Sequence, residues 1–220
     1  MPTPFPFAAL LFDLDGVLAD TTRLHFRVWE AFGRTHGHEP STAELLATTG
    51  RRGIEVLRDW FGDRLSEGQV LAWTLEREAL FKRFVATHPV TQIAGARAYV
   101  AAVVEAGIPR AVVTSAVPGN ATISLAQVGL EGAFPLVITA ADVIHGKPSP
   151  EPYLKAAALL GVPPNRALVF EDAVAGLRAA RAAGARCVAL TTSFPADLLA
   201  CEQPDWLVQD FTDLPAELWP

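Results

Sequence analysis

Apolar residues fall into two kinds of pattern along the chain. Short, nearly continuous runs occur at residues 7–12, 110–113, 136–138, 167–170, 187–190 and 206–208. Runs of that length without polar alternation predict strands buried on both faces. Between the later runs lie Ala- and Leu-rich stretches, "GARAYVAAVVEAG", "ATISLAQVGLEG", "EPYLKAAALLG" and "AVAGLRAARAAG". Each closes on glycine, as helices do at their C-termini. The alternation predicts a doubly wound α/β domain with a parallel sheet, whose ligand site lies beyond the C-terminal strand ends.

One interval breaks the rhythm. Residues 21–88 hold no strand pattern and read as helices: "TRLHFRVWEAFGRTHG", "STAELLATTG", "GIEVLRDWFG" and "SEGQVLAWTLEREALFKRFVATH". Ser41 followed by Glu44 has the spacing of a capping box, and Ser66 marks a weaker start. Inserted after the first strand, this block predicts an α-helical cap over residues 19–90 on an α/β core of residues 1–18 and 91–220. Joints at 16–21 and 89–95 would let the cap swing; the alternative is a set of helices packed rigidly on one sheet face.

Composition narrows the class. Half of the 220 residues are hydrophobic and 19% are charged, enough apolar matter for a sizeable core and too much for a disordered chain. Net charge is −6 and no basic stretch is longer than a pair such as Arg51-Arg52, which points away from nucleic acid. Apolar segments stop short of the ~18 residues of a membrane span, and the N-terminus lacks the basic region of a signal peptide. Cys187 and Cys201 suggest neither a disulfide scaffold nor a zinc site. The expectation is a cytoplasmic monomer with no nucleic-acid or membrane partner.

Four places carry candidate chemistry. The run at 7–12 exits into Asp13-Leu14-Asp15-Gly16. Residues i and i+2 of an extended chain face one side, so Asp13 and Asp15 can address one point, and Gly16 permits a tight departure. The second run ends in Thr114-Ser115 with Pro118 behind it, either an anion site at a helix start or a plain N-cap. "HGKPSPEPY" holds Lys147 among prolines that stiffen its loop, although a surface lysine in a turn is the commoner outcome. "LVFEDAVAG" delivers Glu171 and Asp172, which the helix macrodipole alone would favour near a helix start. Taken together, carboxylates converging on one sheet edge call for a divalent cation, and oxygen-only ligands indicate Mg²⁺. Lys147 would hold one carboxylate ionised and neutralise phosphate oxygens, and Thr114 would grip those oxygens from the other side.

In order and spacing, "DLDG", the strand ending in Thr114, "GKPSPEPY" and "FEDAVAG" resemble the four motifs of the haloacid dehalogenase superfamily of phosphatases and phosphomutases. The helical insertion resembles that superfamily's small α-helical cap. The resemblance implies that Asp13 is the nucleophile, forming an aspartyl-phosphate, and also a metal ligand. Asp15 would protonate the leaving oxygen and then activate the attacking group, with its backbone carbonyl on Mg²⁺. Thr114 and the N–H of Ser115 would hold the phosphoryl group, Lys147 would stabilise its charge, Asp172 would ligate Mg²⁺, and Glu171 would ligate it or hold its water.

"DTTRLHFRVW" is similar to β-phosphoglucomutases, in which a histidine at the place of His25 pairs with the second aspartate. The loop Thr49-Gly50-Arg51-Arg52-Gly53 departs from the Lys-Gly-x-x-Arg of those mutases, leaving Gly50 and Arg52, with Arg77, as candidate substrate contacts. "VITAADVIHGKPSPEPYLKAA" resembles the sugar- and polyol-phosphate phosphatases. The dehalogenase branch lacks the second aspartate, and the phosphonate-cleaving branch needs a cap lysine nearer the first motif than Lys82. The expected function is a Mg²⁺-dependent phosphatase of a small phosphorylated sugar or polyol. A phosphosugar mutase is the alternative, and a non-catalytic binding module the third reading.

Overall fold

The computed structural model describes residues 5–62 and 65–220. Its sheet has six strands, β1 (Ala9–Phe12), β2 (Arg110–Val113), β3 (Leu136–Ile138), β4 (Ala167–Glu171), β5 (Arg186–Leu190) and β6 (Trp206–Val208), in the order β3-β2-β1-β4-β5-β6. Every pairing is parallel. The chain winds outward from β1 in both directions, so the crevice beyond β1 and β4 is the topological switch point where such sheets bind ligands. Phe12 pairs with both Val112 and Phe170. One residue further on, Asp13 leaves the sheet level with Val113 and Glu171.

Three strand boundaries differ from the sequence expectation, the slightest being β5, which begins at Arg186 rather than Cys187. β1 begins at Ala9, although Phe7 is buried and Ala8 N–H donates to the Arg166 carbonyl. β4 runs on through Glu171, carrying a carboxylate inside the sheet. Apolar periodicity could not find that strand end, because the residue there is charged and is satisfied by partners distant in sequence.

Between β1 and β2 lie α1 (Thr22–Thr35), α2 (Thr42–Thr48), α3 (Gly53–Phe61) and α4 (Glu67–Thr87). They share an aromatic core of their own around Trp29, Phe32, Leu45, Val56 and Leu57. Capping boxes start α2, through Ser41 and Glu44, and α4, where Gln69 completes the box that Ser66 opens. The joints to the core pair with each other: Asp20 N–H donates to the Thr91 carbonyl at 2.8 Å and Ile93 N–H to the Leu18 carbonyl at 3.1 Å.

Helices α5 (Ala96–Glu105), α6 (Pro118–Gln127), α7 (Glu151–Leu159), α8 (Val174–Ala182) and α9 (Ala196–Ala200) accompany the remaining strands. Successive strand residues point to opposite faces. Leu10, Phe12, Val112, Leu168 and Phe170 join one core with Tyr99 and Phe211, while Leu11, Ala111, Val113 and Val169 join another with Tyr153 and Leu177. Among the described residues no helix is long and apolar enough to cross a membrane.

Phe12 stacks on Phe170 with ring centroids 4.8 Å apart and also meets Phe134, Tyr99 and Phe211. Phe12→Ala should therefore lower the free energy of chemical unfolding by about 3–5 kcal/mol; a loss below about 1 kcal/mol would mean that this aromatic stack is not the centre of the core.

Candidate active site

The edge beyond β1, β2 and β4 gathers the charged residues predicted from sequence. Lys147 is fully buried, which excludes a surface lysine in a turn. Its Nζ donates to Asp13 Oδ1 at 2.7 Å, Glu171 Oε1 at 2.6 Å and the Val113 carbonyl at 2.9 Å. Three acceptors satisfy the three donors of an ammonium. Burial alone would lower the Lys147 pKa, but Asp13 and Glu171 outweigh it and raise it. Glu171 Oε1 also accepts from the Tyr153 hydroxyl at 2.5 Å, and Oε2 accepts from the backbone N–H groups of Asp172 and Ala173. Both Glu171 oxygens are therefore engaged by protein donors.

Asp172 is in the opposite condition. It is fully buried, yet neither carboxylate oxygen has a hydrogen-bond partner among the described residues. The nearby Ser193 hydroxyl is bonded to Thr22 at 2.6 Å. Burial, with Asp13 and Glu171 adding to it, pushes Asp172 well above the usual carboxylate range. Asp13 is pushed up to about 7, chiefly by burial, against the pull of Lys147 and with Glu171 and Asp15 adding to the rise. Oxygens of Asp13, Glu171 and Asp172 lie within 4.8 Å of one another. Gly16 makes room for them: its φ is +78°, and a Cβ there would sit 1.9 Å from Asp172 Oδ2.

Asp15 turns its carboxylate away from this cluster and toward the cap. Its Oδ1 accepts from the Thr21 hydroxyl at 2.5 Å and meets His25 Nε2 at 3.1 Å. The other ring nitrogen of His25 meets Arg77 Nη2 at 3.1 Å. A guanidinium only donates, so His25 Nδ1 accepts and Nε2 carries the proton that reaches Asp15. Burial would raise Asp15, but His25, Thr21 and Arg77 together hold it below the usual range. Arg77 is seated over the Trp29 ring at 4.3 Å, and burial brings its pKa down to about 10.

A cleft between cap and core is lined by Asp13, Asp15, Thr114, Ser115, His25 and Gly50, with Thr49, Arg51, Arg77 and Asn120. Thr114 is not the N-cap of α6; that position is Val117, and the Thr114 hydroxyl accepts from Ala116 N–H at 3.0 Å. The Ser115 hydroxyl donates to the Gly50 carbonyl at 2.7 Å, joining core to cap.

This cleft, a buried lysine joining two carboxylates and a third carboxylate without partners can be set beside known proteins. Residues 7–184 match the model of the haloacid dehalogenase-like hydrolases. The chain belongs to that family. A validoxylamine A 7'-phosphate phosphatase from Streptomyces hygroscopicus subsp. limoneus is 33% identical over 97% of this chain and 97% of its own. A hexitol phosphatase A from Escherichia coli is 34% identical over 93% of this chain and 91% of its own. The crystal structure of CbbY from Rhodobacter sphaeroides in complex with phosphate aligns with a TM-score of 0.84 at 27% identity, covering 96% of this chain and 99% of that one.

For a member of the haloacid dehalogenase-like hydrolases, one sequence expectation needs correcting. Arg52, expected to touch substrate, does not line the cleft. Its Nε and Nη2 bond Glu55 Oε1 at 2.8 and 2.7 Å, and its Nη1 donates to the Val143 carbonyl at 3.1 Å. Glu55 in turn accepts from Gly146 N–H at 3.2 Å. The pair thus ties α3 to the loop that carries Lys147. Arg51 lines the cleft instead, held by Asp59 at 2.6 Å. Sequence reading missed Tyr153, although it stands in the quoted "EPY"; a buried tyrosine opposite an acid-ended strand was the available signal. It also missed Thr21, for which "DTT" gave no signal of contact with Asp15.

Asp13 generates a test of pH dependence. Its raised folded pKa means that, in metal-free protein, it binds a proton between about pH 4 and about pH 7 that the unfolded chain releases. The stability this supplies is complete at low pH and is lost as pH rises through about 7. The thermal midpoint of metal-free wild type, minus that of Asp13→Asn, should fall from pH 5 to pH 8; a difference independent of pH would refute the assignment.

Proposed function

We propose that this hydrolase is a Mg²⁺-dependent phosphatase of small phosphorylated sugars or polyols, working through a phosphorylated Asp13. The observation that carries the reading is the pairing of Lys147 with Asp13 beside the partnerless Asp172. A buried carboxylate with no donor fits a hard, oxygen-seeking cation, and Asp13 and Asp172, whose oxygens lie within 4.8 Å of one another, would hold it, with the backbone carbonyl of Asp15 added as the family resemblance implies. Glu171, with its oxygens taken by Lys147, Tyr153 and backbone donors, fits the task of positioning the lysine. When bound, Mg²⁺ would supply charge stabilisation at the phosphoryl oxygens.

Asp13 attacks phosphorus as a carboxylate, and a Mg²⁺ held by it and Asp172 would offset the burial that raises its pKa. Asp13 Oδ forms the bond to phosphorus while the bond to the substrate oxygen breaks, and that oxygen takes a proton from Asp15, which must first be protonated from solvent while its hydrogen bond with His25 is unmade. Water then attacks the phosphoryl group, Asp15 takes the water's proton, and inorganic phosphate leaves with Asp13 regenerated. The hydrogen bonds from His25 and Thr21 favour the ionised Asp15 of the second step. The Thr114 hydroxyl and the Ser115 N–H are the groups assigned to the phosphoryl oxygens. With the cap in its present position the cavity measures about 50 Å³, against roughly 300–1,000 Å³ for ordinary ligand sites. Entry of a sugar phosphate therefore requires the cap to swing, and the paired joints at 16–21 and 89–95 are the assigned hinge.

The two phosphatases, similar over more than nine-tenths of the chain, favour hydrolysis, and so does Thr49 in place of the mutase lysine; a β-phosphoglucomutase from Mycobacterium bovis, 30% identical over 81% of this chain, stands on the other side. The contact of His25 with Asp15 favours the second reading, a phosphosugar mutase. One assay separates them: phosphate release from sugar and polyol monophosphates with Mg²⁺, against formation of glucose 6-phosphate from β-glucose 1-phosphate. Phosphate release is expected, abolished in Asp13→Asn and slowed roughly 10²–10⁴-fold in Asp15→Asn. Isomerisation without phosphate release would establish the mutase, and wild-type turnover by Asp13→Asn would remove the nucleophile.

A further inference from the structure

Three polar atoms in the cleft wall have nothing to bond. Thr49 Oγ1, Arg77 Nε and Asn120 Oδ1 are buried without a hydrogen-bond partner among the described residues. All three residues line the cleft that contains Asp13 and Asp15. They come from separate places: Thr49 follows α2, Arg77 lies within α4, and Asn120 is in the first turn of α6. Buried polar groups are almost always paired, because an unmade bond leaves the full cost of desolvation standing. Three such groups, contributed by cap and core to one cleft, mark partners that arrive with a ligand.

Their chemistry says which ligand. A guanidinium N–H only donates, a threonine hydroxyl donates and accepts, and a carboxamide oxygen accepts. Substrate hydroxyls, which also do both, complement this mixture. A second phosphate does not. It would call for uncommitted positive charge as well as donors, and the cations near the cleft are already committed. Arg51 is paired with Asp59, Lys147 with Asp13 and Glu171, and Arg77 spends Nη2 on His25 and its plane on Trp29. We propose that Thr49, Arg77 and Asn120 form a specificity subsite that reads the hydroxyls of an uncharged polyhydroxyl leaving group and favours monophosphates over bisphosphates. This rests on the phosphatase reading above.

The test measures phosphate release from straight-chain polyol monophosphates, their single-deoxy analogues, a sugar bisphosphate and p-nitrophenyl phosphate. Turnover of none of them would remove the phosphatase reading and the subsite together. With p-nitrophenyl phosphate hydrolysed, that reading stands and the subsite is tested alone. Deleting one contacted hydroxyl should cost wild type about tenfold or more in kcat/KM, a comparison that needs no variant to fold. Asn120→Ala and the near-isosteric Thr49→Val should each lower the ratio of kcat/KM for polyol phosphate to that for p-nitrophenyl phosphate by about tenfold. One deoxy analogue should be insensitive to Asn120→Ala, since the bond is already missing. An unchanged ratio, no sensitivity to any deletion, or a bisphosphate preferred to its monophosphate would overturn the proposal.

Discussion

A buried ammonium between two buried carboxylates is the interaction on which the rest depends. Lys147 has no exposure to solvent, and Asp13 and Glu171 have next to none. Desolvating any of them alone costs several kcal/mol in order of magnitude, and removing one partner leaves an uncompensated charge in the interior. The arrangement persists because every donor of the lysine has an acceptor and Glu171 is held by Tyr153 and two backbone N–H groups. Even the glycines obey it, since a Cβ at Gly176 would come within 1.9 Å of the Glu171 carboxyl group. The lysine satisfies two carboxylates and leaves Asp172 over. That imbalance, produced by packing, leaves Asp172 open to a cation.

The second half of the site is built on different terms. Asp15 is held by hydrogen bonds from Thr21 and His25, and His25 by Arg77. Arg77 and His25 lie on α4 and α1, between β1 and β2, so the proton affinity of Asp15 depends on those helices, whereas that of Asp13 depends on burial and Lys147 in the core. Arg52 and Glu55 join the cap to backbone groups on either side of His145, two residues before Lys147. The helices between β1 and β2 are therefore hydrogen-bonded both to Asp15 and to the loop that carries Lys147.

Much of this was legible in the amino-acid sequence, for physical reasons. Strands buried on both faces leave an unmistakable apolar run, and acids at the ends of such runs have to be accounted for. Asp13 and Glu171 meet because parallel pairing puts the ends of β1 and β4 at one level, and Lys147 reaches both from the loop before α7. What stayed hidden depended on side-chain direction across the cap. Adjacent arginines in one loop look alike in sequence, yet Arg51 lines the cleft and Arg52 clamps the cap to the core. Tyr153 stood in a quoted motif, but its contact with Glu171, 18 residues away on another element, shows only in the packed fold. Orphaned atoms such as Asn120 Oδ1 exist only once packing has excluded every partner.

The most direct measurement is a crystal structure grown with magnesium and beryllium fluoride, a phosphoryl mimic that attaches to an ionised aspartate. The account predicts the fluoride adduct on Asp13, Lys147 Nζ still in contact with it, and the metal touching Asp13 and Asp172. An adduct on Asp15, or a metal bound without Asp172, would contradict it.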